Sequence, residues 1–276
     1  MISFMHRGGV GMASFRYRAM IPARELGAKL NDTSAETLIY TKPMEFELDE
    51  ALAAKEQGKT VIVDFCDDHF EKSPHYEKMA RLADAVTCPT PAMARRIPVT
   101  ATVIPDPYEF DEAEPHCHGK NVLWFGHGVN FYSVAKLLPN LKCPIRIVSN
   151  VPGALPWSMD VMHEELHLAD IVIIPATARY KSGNRAVEAI RQGCFVVAEP
   201  HPAIDDFPGI WIGDIKEGVE WANNNRQQAR EMTATAQTFV RQHYSPQKVA
   251  TAWRKVCEMA KSRCISDVEG VTGTDG

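Results

Sequence analysis

The sequence predicts an α/β protein made of two similar domains, each built on a parallel β-sheet. Short runs of buried, β-branched residues alternate with stretches of helical periodicity, a pattern typical of parallel sheets covered by helices. Two of the predicted strands, 1–6 and 121–125, are followed directly by a glycine-rich loop. Segment 105–119, rich in proline and acidic residues and without periodicity, lies between the two halves and predicts a solvated linker.

Composition limits the class of protein. The chain has 276 residues, 45% of them hydrophobic, which is enough for two small domains. It has no run of about eighteen apolar residues and no signal-peptide pattern, so we expect no membrane span. Seven scattered cysteines, an odd number, predict reduced thiols and a cytoplasmic location. The net charge of −5 argues against a general nucleic-acid-binding surface, although a local basic cleft of Arg7, Arg16, Arg18 and Arg24 would still hold a phosphodiester.

The first half opens with strand 1–6 and the loop Arg7-Gly8-Gly9-Val10-Gly11. Glycines after a first strand let the backbone approach a ligand closely, although such a loop is also an ordinary tight turn. The next segment predicts a helix over 12–27, with Ser14 as its cap, that presents Arg16 shortly after the loop. Arg16 is a candidate for a phosphate or acceptor contact, or an exposed helix arginine.

A polar cluster, Asp64-Phe65-Cys66-Asp67-Asp68-His69-Phe70, ends the strong strand 60–65. Ligands of open α/β sheets lie beyond the carboxyl ends of strands, where this cluster falls. Asp68 and His69 are therefore candidates to orient an acceptor hydroxyl or to act on its proton. The alternative is that Asp67 or Asp68 caps the following turn. The other elements predicted in this half are strands 37–40, 85–87 and 101–104 and helices 46–57, 76–82 and 91–96.

The second half repeats the pattern and contains a β-loop-α-β unit over 167–200. Strand 171–174 leads into a polar loop that carries Arg179, Lys181 and Ser182 to the start of a helix, which Gly193 ends. Free N–H groups and the helix dipole suit a phosphate there, and Glu188, about one turn into the helix, suits sugar hydroxyls. A solvated loop and a surface glutamate are the alternative. The other elements predicted in this half are strands 121–125, 145–149, 195–198 and 210–212 and helices 159–168, 214–224, 227–243 and 246–259.

His116-Cys117-His118 resembles part of a metal site. No further set of cysteines and histidines follows at the spacing of a zinc finger or ribbon, so the sequence favours the linker over a metal site.

Segment 181–198, KSGNRAVEAIRQGCFVVA, resembles the nucleotide-binding element of GT-B glycosyltransferases in the glycogen-synthase-like, retaining superfamily, which includes glycosyltransferase family 4. A glutamate on this helix binds the ribose of the nucleotide-sugar donor in that family, and the resemblance gives this role to Glu188. The family often has a sugar-contacting glutamate eight positions earlier. Tyr180 stands there instead, so the chain departs from the family pattern at the sugar contact.

The resemblance implies further donor contacts. VDFCDDHF and VLWFGHGVNFYSVAKLL are similar to cleft-lining segments of the same enzymes, and glycine loops face the donor in both domains. The implied donor-binding residues are Gly9, Gly11, Arg16, Gly126, His127, Arg179, Lys181, Ser182, Asn184, Arg185 and Glu188. Lys181 would also neutralise the leaving diphosphate, which groups it with Asp68 and His69 as catalytic.

The expected fold is therefore GT-B: two Rossmann-like domains facing each other across a cleft, with a C-terminal helix crossing back to the first domain. The predicted divisions are an acceptor-side domain over 1–115, a nucleotide-sugar-binding domain over 116–245, a crossing helix over 246–264 and a disordered tail over 265–276.

The expected activity is transfer of a sugar from a nucleotide-diphosphate sugar to an acceptor hydroxyl, with retention implied by the resemblance alone. No cofactor and no metal are expected, because the phosphate loop carries its own cations. A non-catalytic nucleotide-sugar-binding module and a nucleotide-sugar epimerase are the alternatives. The acceptor stays open among saccharide, lipid-linked sugar, protein and modified nucleic acid.

Overall fold

The computed structural model describes residues 1–118 and 120–271, with side chains up to residue 262. The chain forms two compact units. Unit 1 contains Met1–Pro107, Tyr180–Ser182 and the chain from Pro246, and unit 2 contains Tyr108–Arg179 and Gly183–Ser245. The division falls at Pro107, eight residues before the predicted boundary at 115, and three residues of the loop after strand 171–174 group with unit 1.

Unit 1 is built on a six-stranded sheet in which every pair of neighbouring strands is parallel. The strand order is β2-β1-β3-β4-β5-β6. Its elements up to residue 107 are β1 (Ile2–Met5), α1 (Ala13–Phe15), a π-helical turn (Arg16–Met20), α2 (Ile21–Leu26), β2 (Lys29–Leu30), β3 (Thr37–Thr41), α3 (Glu47–Glu56), β4 (Thr60–Asp64), α4 (Pro74–Leu82), β5 (Ala85–Cys88), α5 (Pro91–Ala94) and β6 (Ala101–Val103).

Unit 2 has a second six-stranded parallel sheet, in the order β12-β11-β10-β7-β8-β9. This is the strand order of a Rossmann fold, 3-2-1-4-5-6, seen from the other edge. Its elements are β7 (Val122–Phe125), a 3₁₀ turn (Gly128–Asn130), α6 (Phe131–Ala135), a 3₁₀ turn (Leu138–Asn140), β8 (Ile145–Ser149), β9 (Leu155–Pro156), α7 (Met159–Leu168), β10 (Ile171–Ile174), α8 (Asn184–Arg191), β11 (Phe195–Ala198), β12 (Trp211–Ile212), α9 (Ile215–Asn224) and α10 (Arg226–His243).

The central strands are apolar on both faces because helices cover both sides of each sheet. Every residue of β3, β4, β7, β10 and β11 is buried. Gly193 ends α8 in a left-handed conformation with φ 79°, and a Cβ there would collide with the carbonyl oxygen of Glu114. The predicted stop of this helix is therefore fixed both by its backbone conformation and by close packing.

The last helix, α11 (Pro246–Val271), packs on the sheet of unit 1, as predicted for the crossing helix. Its Trp253, Val256 and Cys257 join Phe4 and Ile62 in one buried cluster. The helix continues seven residues beyond the predicted end at 264, so the predicted disordered tail is wrong for 265–271. Residues 272–276 of that tail lie outside the described part of the chain.

The predicted linker is an ordered part of unit 2. Cys117 is fully buried in a core cluster of that unit. The backbone N–H groups of Ala113 and His116 donate to the carbonyls of Arg191 and Gly193, at 2.9 Å each. The acidic and proline-rich composition therefore marks an extended segment pinned along α8 rather than a solvated connection.

Candidate active site

Each sheet has a topological switch point, where the chain reverses the direction in which it adds strands. The reversal lies between β1 and β3 in unit 1 and between β7 and β10 in unit 2. Ligands of open α/β sheets bind beyond the carboxyl ends of the strands at such points. Both predicted glycine loops, after β1 and after β7, lie at a switch point, and so does the loop that follows β10.

A buried ion pair lies beneath the carboxyl edge of the unit 1 sheet. Arg18 donates to both carboxylate oxygens of Asp64, at 2.9 and 2.5 Å, and to the carbonyl of Ile104 at 2.5 Å. Thr87 also donates to Asp64, at 2.7 Å. Burial alone would lower the pKa of Arg18, but Asp64 and then Asp106 raise it well above its usual range. These groups satisfy one another, so the pair is structural.

Asp67, just above this pair, accepts hydrogen bonds from two lysines. Lys181 Nζ lies 2.6 Å from Oδ1, and Lys42 Nζ lies 2.8 Å from Oδ2. Burial would raise the pKa of Asp67, but Lys181 and Lys42 hold it well below its usual range. Lys181, predicted to neutralise a diphosphate, is thus held by a carboxylate of unit 1.

Of the two predicted acceptor-side residues, Asp68 has a structural role in the turn. Its Oδ1 accepts a hydrogen bond from Phe70 N at 3.3 Å, and its Oδ2 pairs with Arg96 at 3.1 Å. This is the turn-capping alternative considered above. His69 is half-buried, and its ring packs edge-on against Tyr76. Burial and then the nearby lysines outweigh Asp67 and lower the pKa of His69, which favours a neutral imidazole able to accept a proton.

The first glycine loop is shaped by His6. Gly8 N donates to His6 Nδ1 at 2.8 Å, so the ring proton is on Nε2, which lies 3.2 Å from Ser14 Oγ. Ser14 therefore serves the loop rather than capping the helix, whose N-cap is Met12. Gly9 and Gly11 are exposed, and a Cβ on either would meet open space, so a ligand can approach their backbone.

Arg16 is buried in a short π-helical turn together with Arg18. Such turns interrupt α-helices and occur frequently at functional sites. Arg16 Nη1 donates to the carbonyl of Val10 at 2.7 Å, which fixes the glycine loop. The alternative considered for Arg16, an exposed helix arginine, is therefore wrong.

The second glycine loop follows β7 in unit 2. Gly128 N donates to Asn150 Oδ1 at 2.6 Å, and a Cβ on Gly128 would press on Asn150 and Val151. His127 is exposed, and its Nδ1 accepts a hydrogen bond from Val129 N at 3.3 Å. A Cβ on Gly126 would meet the Trp124 ring at 3.2 Å and Arg185 Nη1 at 3.5 Å, so the main chain at Gly126 lies close to the start of α8.

Arg185, in the first turn of α8, faces this loop. Its Nη1 lies 3.5 Å from the carbonyl oxygen of Phe125. A Cβ added to Gly126 would lie 3.5 Å from the same nitrogen. Within the described chain no carboxylate forms an ion pair with it. Burial lowers the pKa of Arg185 to about 10. A desolvated cation without a counter-charge, at a helix N-terminus, is suited to binding an anion.

The loop between β10 and α8 is held by two residues that follow β11. Glu199 Oε2 accepts a hydrogen bond from Ala176 N at 2.7 Å, and His201 Nε2 lies 3.0 Å from the carbonyl oxygen of Ala178. Arg179 is exposed, and Asn184 begins α8 without a side-chain cap. Ser182 donates to the buried Asp106 carboxylate in unit 1.

Glu188 lies on α8 and is 1% exposed. Its Oε1 accepts a hydrogen bond from Glu109 N at 2.9 Å, which ties the helix to the extended segment after residue 107. The ribose contact implied for Glu188 stays a prediction.

Sequence reasoning missed Lys42, which follows β3, and the anchoring role of Asp67. Lys42 has a left-handed backbone with φ 54°, which is uncommon for a residue other than glycine. No signal in the sequence marks it, because its partner Asp67 lies 25 positions away along the chain.

No group of three potential metal-ligating side chains occurs in the described residues. His116 Nε2 donates instead to the carbonyl of Gln192 at 2.8 Å. None of the described helices is long and apolar enough to cross a membrane.

Comparison with known proteins identifies the fold. No protein-family model and no curated protein matches the sequence. The chain is similar to the crystal structure of Anabaena HepE in complex with UDP and glucose, with a TM-score of 0.69 at 12% identity over 93% of this chain and 99% of that one. It is also similar to WaaG, a glycosyltransferase of lipopolysaccharide biosynthesis, with a TM-score of 0.59 at 11% identity over 91% and 98%.

A third neighbour is a Listeria monocytogenes protein described as a UDP-N-acetylglucosamine 2-epimerase, with a TM-score of 0.51 at 12% identity over 91% and 93%. Two Rossmann-like units with parallel sheets, together with these neighbours, define the class: the chain has the GT-B fold of glycosyltransferases.

Proposed function

We propose that the protein is a glycosyltransferase that moves a sugar from a nucleotide-diphosphate sugar to an acceptor hydroxyl. Arg185 carries the proposal, since a desolvated guanidinium without a carboxylate partner in the described chain lies beside a glycine loop at a switch point. The diphosphate of a donor is the counter-ion that this arrangement fits. HepE, of the same fold, was crystallised with UDP and with UDP-glucose, which supports a uridine nucleotide.

The residues have separate roles in this proposal. Gly126, His127, Ser182, Asn184 and Arg185 bind the donor, with Glu188 on its ribose. In the reaction, the acceptor oxygen forms a bond to the anomeric carbon, and the bond from that carbon to the donor phosphate breaks. The nucleoside diphosphate leaves with the electron pair.

The remaining roles belong to the proton and to the charge that develops on the leaving group. The acceptor proton passes to His69, whose lowered pKa keeps it neutral, or to the leaving phosphate. Lys181 stabilises the charge on that phosphate. Retention of configuration is proposed from the family resemblance, and NMR of the product anomer tests it.

Metal independence is part of the same proposal. The acidic side chains near the unit 1 sheet edge are already paired with cationic side chains: Asp64 with Arg18, Asp67 with two lysines and Asp68 with Arg96. We expect transfer to continue at close to its normal rate in excess EDTA. Loss of activity in EDTA with recovery on adding Mn²⁺ would refute this.

The decisive experiment combines binding with turnover. A thermal-shift screen of nucleoside diphosphates and their sugars identifies the donor, because a ligand at 100 times its Kd stabilises the protein by about 2.7 kcal/mol. The selected donor is then incubated with candidate acceptors, and release of nucleoside diphosphate is measured with and without each acceptor. Acceptor-dependent release supports the proposal, and tight donor binding without turnover would indicate a binding module.

An epimerase is the second candidate, favoured by the similarity to the Listeria protein. An epimerase would convert the donor alone into a second nucleotide sugar. The same assay, followed by chromatography of the nucleotide sugars, separates the two activities.

A further inference from the structure

One carboxylate in unit 1 is shared by two lysines. Asp67 gives one oxygen to Lys42 and the other to Lys181. An ammonium group carries three N–H donors, and Asp67 is the one acceptor that the described residues supply to each. Two further donors on each lysine remain for other groups.

Among the described residues, Asp67 is the carboxylate that pairs with these two lysines. The nearby carboxylates pair with arginines instead: Asp64 and Asp106 with Arg18, and Asp68 and Glu71 with Arg96. Burial and then Lys42 lower the pKa of His6 to about 4, the pKa of His69 is also lowered by burial, and burial raises the pKa of the Cys66 thiol. All three are therefore neutral near pH 7, and the lysine pair keeps a net positive charge.

Position and access also indicate a ligand. Lys42 follows β3 at the switch point of the unit 1 sheet, where α/β proteins bind their ligands. Its left-handed backbone, φ 54°, is held by a hydrogen bond from Lys42 N to the Asp64 carbonyl at 2.9 Å. Strain of this kind is frequent at functional sites. The two side chains are 28% and 43% exposed, so solutes reach both.

We infer that Lys42 and Lys181 form a two-lysine site that binds an anionic group of a substrate, with Asp67 holding both ammonium groups in position. A single lysine would suffice to neutralise Asp67, and the second leaves charge for a ligand. The anion is a phosphate or carboxylate. In the framework of the proposed function it belongs either to the donor diphosphate or to a negatively charged acceptor.

The test uses variants that remove the charge and keep the side-chain length: Lys42→Met, Lys181→Met and the double variant. Lys72→Met is the matched control, since Lys72 is an exposed lysine of the loop that follows Asp67. Calorimetry measures binding of UDP against uridine, and of glucose 6-phosphate against glucose. Thermal unfolding confirms that each variant is folded.

Each single variant should weaken the bound anionic probe roughly 10- to 100-fold, with the neutral partner of that probe unchanged. In the double variant the fold-loss of affinity should be smaller than the product of the two single fold-losses, because both lysines contact one anion. Weaker binding of UDP assigns the site to the donor diphosphate. Weaker binding of glucose 6-phosphate alone assigns it to an anionic acceptor.

Several outcomes would overturn the inference: an effect of Lys181→Met without one of Lys42→Met, equal losses on charged and neutral probes, a similar loss in Lys72→Met, or no binding of either anion by the unmodified protein. Failure of the proposed function is distinguishable from these, because it shows as charge-dependent binding in the unmodified protein without acceptor-dependent turnover.

Discussion

The charged side chains at the carboxyl edges of the two sheets have different kinds of partner. In unit 1 Arg18 is paired with Asp64, and Lys42 and Lys181 share Asp67. In unit 2 Arg185 lies beside a glycine loop and a main-chain carbonyl instead of a carboxylate. The Arg18 pair stabilises the protein on its own, whereas the charge of Arg185 is stabilised by whatever anion binds there. Substitutions should therefore affect mainly stability at the Arg18 pair and mainly ligand binding at Arg185.

The largest effect is expected from Asp64→Ala. Removing Asp64 leaves the buried Arg18 with the longer contact to Asp106, at 3.2 Å, as its carboxylate partner, and breaking a buried pair typically costs about 3–5 kcal/mol of unfolding free energy. Urea denaturation followed by circular dichroism measures the loss. A loss below about 1 kcal/mol would show that the pair is not structural.

Lys181→Ala sharpens the comparison because Lys181 has both a carboxylate partner and a proposed catalytic role. We expect kcat to fall by about 10²–10³, the range for removing one preorganised electrostatic group. Steady-state kinetics with the identified donor provides the measurement. Unchanged kcat would leave Lys181 as a structural partner of Asp67 and would make Arg179 or Arg16 the better candidate.

Acid should destabilise the glycine loop of unit 1 through His6. Its pKa falls from 6.5 to about 4 on folding, so the unfolded chain binds the proton more readily between these values. Stability is lost as the pH falls through that window, by about 3 kcal/mol in total. Denaturation curves between pH 7 and 4 should show a smaller decline in His6→Gln, and parallel declines would contradict the assignment.

Arg185→Gln should weaken UDP binding by about 1.5–3 kcal/mol and leave uridine binding unchanged. Its unfolding free energy should not fall, because the charge it removes is desolvated without a partner among the described residues. Calorimetry and urea denaturation test the two parts, with the exposed Arg24→Gln as the control. Lower stability with unchanged UDP affinity would reverse the contrast between the two sheet edges.

The smallest effect is expected at Asp68, which is partly exposed and pairs with Arg96. Asp68→Ala should cost less than about 1 kcal/mol of unfolding free energy. The difference between the losses in Asp64→Ala and Asp68→Ala, measured under the same conditions, shows how much burial adds to the stabilising free energy of an ion pair. Equal losses would mean that burial is not the deciding factor.

The sequence predicted the central strands closely because buried parallel strands are continuously apolar. Predicted strand 171–174 agrees with β10, and 195–198 with β11. β2 and β9 were missed, since each has two residues at a sheet edge and no periodicity to detect. The acidic segment before residue 119 was wrongly predicted to be solvated for a different reason. The residues that hold it in place lie far along the chain, on α8 and directly after it.

The parts of the candidate site that contain glycine loops could be predicted from the sequence. The parts that depend on ion pairs between distant residues could not. The glycine loops after β1 and β7 were located from sequence alone, and the GT-B fold expected from the 181–198 segment was confirmed. The pairing of Arg18 with Asp64 joins residues 46 positions apart, so it depends on the order of strands in the sheet. Residue roles at the site, including Glu188 on ribose, stay predictions.

The placement of α11 has a consequence for biosynthesis. Trp253 and Val256 complete the cluster that covers Phe4, Ile39 and Ile62, so part of one face of the first sheet stays uncovered until the ribosome has made the last helix. The residues of unit 2 all precede that helix in the chain. The second unit can therefore finish folding before the first, which reverses the usual N-terminal-first order and leaves early strands in need of protection during translation.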